Sequence, residues 1–182
     1  MFLHDIAYQA HMRAIDLEIL TNNNNASVRN FAEEAGIEEI KSYLRRRFDV
    51  ALIFIDVTNW STTPTYNEGD HVVKNGAMYY AIAASTNEDP ETPSSTFWTL
   101  GDLRDKYLVM RAVDCVTYHL YAKIPKRSTP EDVGLRYDET IKWLNGVSTG
   151  NLIPNYPLLS DDEANNQNEF KFGSQEKKNH RW

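Results

Sequence analysis

A single cysteine, Cys115, excludes an intrachain disulfide, so packing or assembly must supply the stability of this 182-residue chain. It lies in an apolar helical stretch, Tyr107 to Tyr121, where a free thiol behaves as a small buried hydrophobe. Long apolar runs are also missing. Nothing approaches the roughly 20 residues that span a bilayer, so no membrane partner is expected. The opening Met1-Phe2-Leu3-His4-Asp5 lacks the basic region and apolar core of a secretory signal. The chain is therefore expected to be made in the cytoplasm and to stay there unless an assembly carries it out.

Basic charge is scarce. With 19 basic against 26 acidic side chains the formal charge is −7, and phosphate contact needs a concentrated basic surface, so direct DNA contact is not expected. The one basic run, Arg45-Arg46-Arg47, reads as a helix end whose cations complement the helix dipole.

Convergent catalytic chemistry is equally thin. Asp114, Cys115 and His119 fall within about one helical turn and hint at a thiol nucleophile. Adjacent residues point to different faces, however, so Asp114 and Cys115 do not both meet His119. The preferred reading is a core cysteine beside an unrelated histidine. His4 and His11 are seven residues apart with no third ligand at metal spacing, and they read as surface or interface histidines. Asp161-Asp162-Glu163 matches neither a calcium loop nor a catalytic carboxylate pair, and no glycine-rich phosphate loop is present. No enzyme, cofactor or metal is expected.

What is present is a folded composition, 41% hydrophobic and 25% charged, sized for one domain or a compact domain plus a small module. Ile6, Met12, Ile15, Leu17, Ile19 and Leu20 predict an apolar helical face from about Asp5 to Leu20, stopped by Thr21 and four asparagines. A second helix is predicted from Ser27 to Arg47 on Val28, Phe31, Ala32, Ala35, Ile40, Tyr43 and Leu44, with Gly36 as an irregular member. Val50 to Ile55 reads as a short β-prone run.

The composition then changes to turn formers and β-branched residues. Asn75-Gly76 between two β-prone runs signals a type I′ hairpin, and Phe97 to Leu100 closes a third strand. From about Leu103 a strongly apolar helix runs to Tyr121 and is stopped by Pro125. Its apolar circumference looks too wide for a lone monomer. Thr129-Pro130-Glu131-Asp132 predicts the start of a last helix, with threonine as N-cap, proline at the first helical position and acids in the first turn. Val133, Tyr137, Ile141 and Leu144 form its buried face, and Gly146 is its predicted C-cap.

The resulting fold class is α+β. A mainly helical core of about four helices (1–56 and 103–159) carries an inserted three-stranded antiparallel β-domain (57–102), followed by an extended C-terminal arm (160–182).

The landmarks Glu39-Ile40-Lys41-Ser42-Tyr43-Leu44-Arg45, the helix Asp105 to Tyr121, and the stretch Arg136 to Gly150 come in a distinctive order. That last stretch carries a tyrosine and a Trp143-Leu144 pair before an apolar, proline-containing segment. In this the chain resembles the phage head–tail adaptors encoded beside the capsid genes of Mu-like prophages, over about residues 1–55 and 103–157. The resemblance implies a structural virion protein of the neck, synthesised in the host cytoplasm. It implies a ring of about twelve copies docked on the portal protein and presenting a surface to the next tail or neck protein.

The insert departs from that family. Trp60, Tyr66, Tyr79 and Trp98, with Gly69-Asp70, Val72, Asn75-Gly76 and Ala81, resemble the chitin-binding-type carbohydrate modules of families 5 and 12. That likeness implies stacking on a glycan by Trp60, Tyr66, Tyr79, Tyr80 and Trp98, because a flat aromatic face matches the C–H side of a pyranose. The same aromatics are also the only core available to so small a domain, and both readings stand at this point. A carbohydrate-binding protein is the alternative function. Finally, Leu152, Tyr156 and Leu158, with Phe170, Phe172 and Trp182 farther on, predict an assembly arm that leaves its own subunit to fill pockets on a neighbour or on the portal.

Overall fold

The computed structural model describes residues 1–22, 25–122 and 129–160. It has an α+β architecture in which the helical part precedes and follows a small β unit. The predicted first helix is two short ones, α1 (Asp5–Gln9) and α2 (Ala14–Leu20). The chain breaks between them so that Tyr8 and Leu17 can both reach the core, whereas Ile15 and Ile19 face outward. The predicted apolar face is thus only half used.

The second helix, α3 (Ala26–Leu44), begins where the Asn25 side chain accepts a hydrogen bond from the Ser27 N–H at 3.0 Å, an N-cap. The run Val50 to Ile55 was expected to be β-like. Instead Asp49 caps the Ala51 and Leu52 N–H groups, and Val50–Ile53 forms a single helical turn, α4. A local carboxylate cap overrides the β propensity of a run this short.

The β unit holds more than three strands. β1 (Val57–Asn59), β3 (His71–Lys74), β4 (Ala77–Ala81) and β6 (Trp98–Leu100) make a four-stranded sheet in the order β1-β3-β4-β6. β1 runs parallel to β3, and the other pairs are antiparallel, so the sheet is mixed. β2 (Thr65–Tyr66) and β5 (Ser85–Thr86) form a second, two-stranded ribbon. The Asn75-Gly76 turn behaves as its chemistry requires, with φ of 46° and 77°.

Pleating divides the sheet into two faces. Val72, Tyr79, Ala81 and Trp98 pack with Tyr66 in the insert's own core. Val57, Val73 and Met78 form the opposite cluster, against which Ile6 of α1 packs.

α5 (Lys106–Ala122) is the centre of the helical part, with Leu108, Ala112, Val113, Cys115, Val116 and Leu120 all buried. α1, α3 and α6 (Glu131–Thr149) cover it within the same chain. Its wide apolar circumference is therefore satisfied without a neighbour. α3 approaches α5 closely because residue 36 is glycine: a Cβ there would lie 2.9 Å from Val116 Cγ2 and 3.2 Å from the Val116 nitrogen. α6 starts one residue later than expected, with Pro130 at the N-cap and no side-chain cap from Thr129. It also runs past Gly146 and ends at Gly150, which adopts the left-handed φ of 81°. The predicted stop at Pro125 lies outside the described residues, as do Asp161-Asp162-Glu163, Phe170, Phe172 and Trp182.

The segment after α6 folds back along its own core. The Leu159 N–H donates to the Arg47 carbonyl at 3.1 Å, and the Asp49 N–H donates to the Pro157 carbonyl at 2.9 Å. Together with the Phe48–Leu158 bridge, these bonds close a short two-stranded contact. The expectation that the arm departs from Leu152 onward is thereby corrected for residues 152–160. Tyr156 packs edge-on against Phe48, with ring centroids 5.7 Å apart. Leu152 lies over Gly146.

One side chain ties these parts together. Arg104, just after the insert, donates through Nε and one terminal nitrogen to both oxygens of Asp102, at 2.8 and 2.7 Å. Its other terminal nitrogen donates to the Phe2 carbonyl, and the guanidinium lies over the Phe2 ring. Beside it, buried His71 accepts from the Leu103 N–H at Nε2, 3.3 Å away, so its proton sits on Nδ1 and points at the Gly69 carbonyl, 2.8 Å away. Burial pushes the His71 pKa down, consistent with this neutral form.

Arg104→Ala should cost about 3 kcal/mol or more, because it strands the Asp102 carboxylate and a buried carbonyl. Urea unfolding checks this. A loss under about 1 kcal/mol would show that the insert and the helical core are not coupled through this residue.

Candidate assembly surface and polar cluster

The insert's aromatics hold one another. The Trp60 and Trp98 indole N–H groups both donate to a single acceptor, the Glu88 carbonyl, at 3.2 and 2.9 Å. Tyr66 sits edge-on to Trp98 at 5.1 Å, and its hydroxyl accepts from the Ser61 N–H at 2.9 Å. Lys74 Nζ lies 4.1 Å above the Trp60 ring and is itself paired with Asp89 at 2.5 Å. Tyr66, Tyr79 and Trp98 are buried, and Tyr80 is partly buried beside His71. For Tyr66, Tyr79 and Trp98, with Trp60 packed against them, the geometry favours the insert's core over an exposed stacking platform, whereas Tyr80 lies on the opposite face of the sheet.

Exposed apolar surface collects elsewhere. A groove of about 360 Å³ runs where α4, the exit of the insert and the returning C-terminal segment meet. Ile55, His71, Leu108 and Tyr156 line it. Leu52 and Leu103 are 58% and 63% exposed along it, and Pro157 completes its apolar lining beside the polar Arg104, Asp105 and Asn155. Its apolar side chains come from three parts of the chain, which makes the groove a candidate contact surface.

Two members of the basic triplet are engaged within the chain. Arg45 pairs with Glu38 at 3.0 Å, and Arg47 donates to the Val147 carbonyl at 3.1 Å. Arg47 thus complements the C-terminal end of α6 and not only that of its own helix.

The densest polar cluster lies between the three long helices. Glu39 of α3 receives the Tyr137 hydroxyl on Oε1 at 2.7 Å. On Oε2 it meets His119 Nε2 at 2.8 Å and Cys115 Sγ at 3.3 Å. Tyr137 is held flat against Tyr118, with centroids 3.9 Å apart and planes 11° from parallel. Burial alone would raise the Glu39 carboxyl, but the hydrogen bonds from Tyr137, His119 and Cys115 more than offset it and hold its pKa below the usual value. The Cys115 thiol is pushed the other way, by burial first and then by the Glu39 charge. A thiol so disfavoured as thiolate is a poor nucleophile at neutral pH.

The expectation that His119 is unrelated to Cys115 is therefore corrected: both converge on Glu39. Their i, i+4 spacing on one helix face was the available signal. Glu39 itself carried none, because a glutamate inside a charged helical stretch reads as solvated. Asp114 does turn away, as expected, toward Arg136 at 3.6 Å and Arg111 at 3.9 Å. His4 sits near the Asn59 side chain, with 3.2 Å between Nε2 and Oδ1.

No helix among the described residues is long and apolar enough to cross a membrane. No protein-family model matches the chain, and no curated protein or solved structure matches it either.

Two measurements probe these arrangements. Trp98→Ala should lower stability by about 3–5 kcal/mol, and Trp60→Ala by less, because Trp60 is only partly buried. Equal small losses in denaturant melts would return the aromatics to the role of surface platform. For Glu39, the folded pKa is depressed, so its contribution is present above the ordinary carboxylate value of 4.5 and disappears as pH falls through the folded pKa. Wild type should therefore exceed Glu39→Gln by about 1 kcal/mol at neutral pH, a figure reduced for solvent screening, and converge with it in acid. A pH-independent difference in urea midpoint would contradict the assignment.

Proposed function

We propose that this chain is a structural virion protein, a phage head–tail adaptor. In this reading it docks as a ring beneath the portal and presents a surface to the next neck or tail component. The observation that carries the proposal is the groove where exposed Leu52 and Leu103 meet Tyr156 and Pro157 of the returning segment. An apolar seam assembled from three separate parts of the chain is suited to protein contact, and its exposure on the single chain is relieved by a neighbour. The order of landmarks supports the same reading. The helix bearing Tyr137 and the Trp143-Leu144 pair ends at Gly150, and the chain then returns as an extended apolar segment along Phe48.

Residues 161–182, with Phe170, Phe172 and Trp182, are assigned in this proposal to contact with an adjacent copy or the portal, on their composition alone. The insert serves as a spacer that widens the assembly.

Light-scattering mass measurement of the purified chain, with and without its portal, tests the proposal. The portal should gather many copies, and a Leu52→Glu, Leu103→Glu double variant should remain folded yet fail to join. Deleting residues 161–182 should likewise leave the subunit folded and prevent stable docking. A monomer that ignores the portal, or a doubly charged variant that docks like wild type, overturns the reading.

A further inference from the structure

We propose that Glu39, Cys115 and His119 form a binding site for a thiophilic divalent transition ion of the zinc class, pinning α3 to α5. The three side chains offer one carboxylate oxygen, one sulfur and one imidazole nitrogen, all within 4.8 Å of one another. This mixed oxygen, nitrogen and sulfur set suits zinc and leaves a fourth position for water. The site is independent of the adaptor reading, since it lies among the long helices and not on the apolar groove.

The placement follows from the fold. Cys115 and His119 are one turn apart on α5 and face α3, and Gly36 lets α3 come close enough for Glu39 to reach both. Glu39 Oε2 lies 2.8 Å from Nε2 and 3.3 Å from Sγ. Metal–ligand bonds of about 2.0 Å to oxygen and nitrogen and about 2.3 Å to sulfur imply tetrahedral edges of roughly 3.3–3.5 Å. The two edges from Glu39 therefore need to open, by about half an ångström to nitrogen and less to sulfur, while Sγ and Nε2, within 4.8 Å of each other, settle to about 3.5 Å by rotation of the Glu39 and His119 side chains.

Those two side chains are about one-quarter exposed, which leaves an entry path, whereas Cys115 is fully enclosed. The Tyr137 hydroxyl holds the other carboxylate oxygen, and its ring is fixed by Tyr118, so the ligand is oriented from outside the coordination shell.

Binding balances simply. The ion displaces the thiol proton of Cys115 to solvent; the Nε2 proton that His119 gives to Glu39 is lost and the ring keeps its proton on Nδ1, so Nε2 ligates as the neutral imidazole beside the anionic carboxylate. Two negative ligands then neutralise the two positive charges.

The test uses the full chain, untagged, reduced and freed of metal by chelation. Cobalt(II) should give a thiolate-to-metal charge-transfer band at longer wavelength than tyrosine and tryptophan absorption, saturating at one ion per chain and lost on adding zinc. Cys115 is the only cysteine, so any such band reports this residue without mutation. His119→Gln should weaken binding at least tenfold, and Tyr137→Phe about tenfold, as expected for an orienting partner. Zinc should raise the melting temperature of wild type but not of Cys115→Ser. Absence of the band, or a zinc-induced shift of the same size in Cys115→Ser, overturns the proposal.

Discussion

A buried guanidinium is tolerable only when its donors are met, and the architecture of this chain is organised around that demand at Arg104. Its acceptors come from different places: the neighbouring Asp102 carboxylate, and the carbonyl of Phe2 a hundred residues away in sequence. The Phe2 ring lies beneath the guanidinium and also packs against Phe54, 4.9 Å between centroids. The beginning of the chain, the end of α4 and the exit of the insert are thus held at one point. The neutral His71 beside it extends the same junction into β3. Apolar burial supplies most of the stabilisation of both halves, but this charged contact sets how they sit against each other.

A second constraint is steric. Gly36 allows α3 and α5 to touch backbone to side chain, and the Glu39 cluster between α3, α5 and α6 depends on that approach. Glu39 then collects three donors from the two other helices. Such a network is costly if incomplete, because each unpaired member would stay desolvated in the core. Completed by a proton or by an ion, it specifies the register of three helices that apolar packing alone would leave freer to slide.

The long helices were legible because apolar residues recur at three- and four-residue intervals over many turns, and Asn75-Gly76 announced its hairpin by the backbone angles it prefers. Shorter features were not. Val50–Ile53 has the residues of a strand, and only the Asp49 cap decides otherwise. The break between α1 and α2 contains neither proline nor glycine, and arises because Tyr8 and Leu17 must both point inward. β1 pairs in parallel with a strand twelve or more residues onward, a long-range choice with no local signal. Gly146 and Gly150 compete as helix ends, and the return of Leu152 over Gly146 favours the later one. In the polar cluster, Cys115 and His119 stand four residues apart on one helix face yet read as unrelated, and Glu39 became visible only once α3 lay beside α5.

The strand order β1-β3-β4-β6 has one more consequence. The chain enters the sheet at one edge and leaves it at the other, and Val57 and Thr99 stand in the same row, connected through His71 and Tyr80. Three strand spacings of about 4.8 Å separate entry from exit by roughly 14 Å. A domain hung on a hairpin-like stalk can be cut away and its ends rejoined, but this one cannot. The sheet is a brick in the wall, not a flag on a pole: any shortened relative of this chain would need a linker of at least four or five extended residues to cover the same gap.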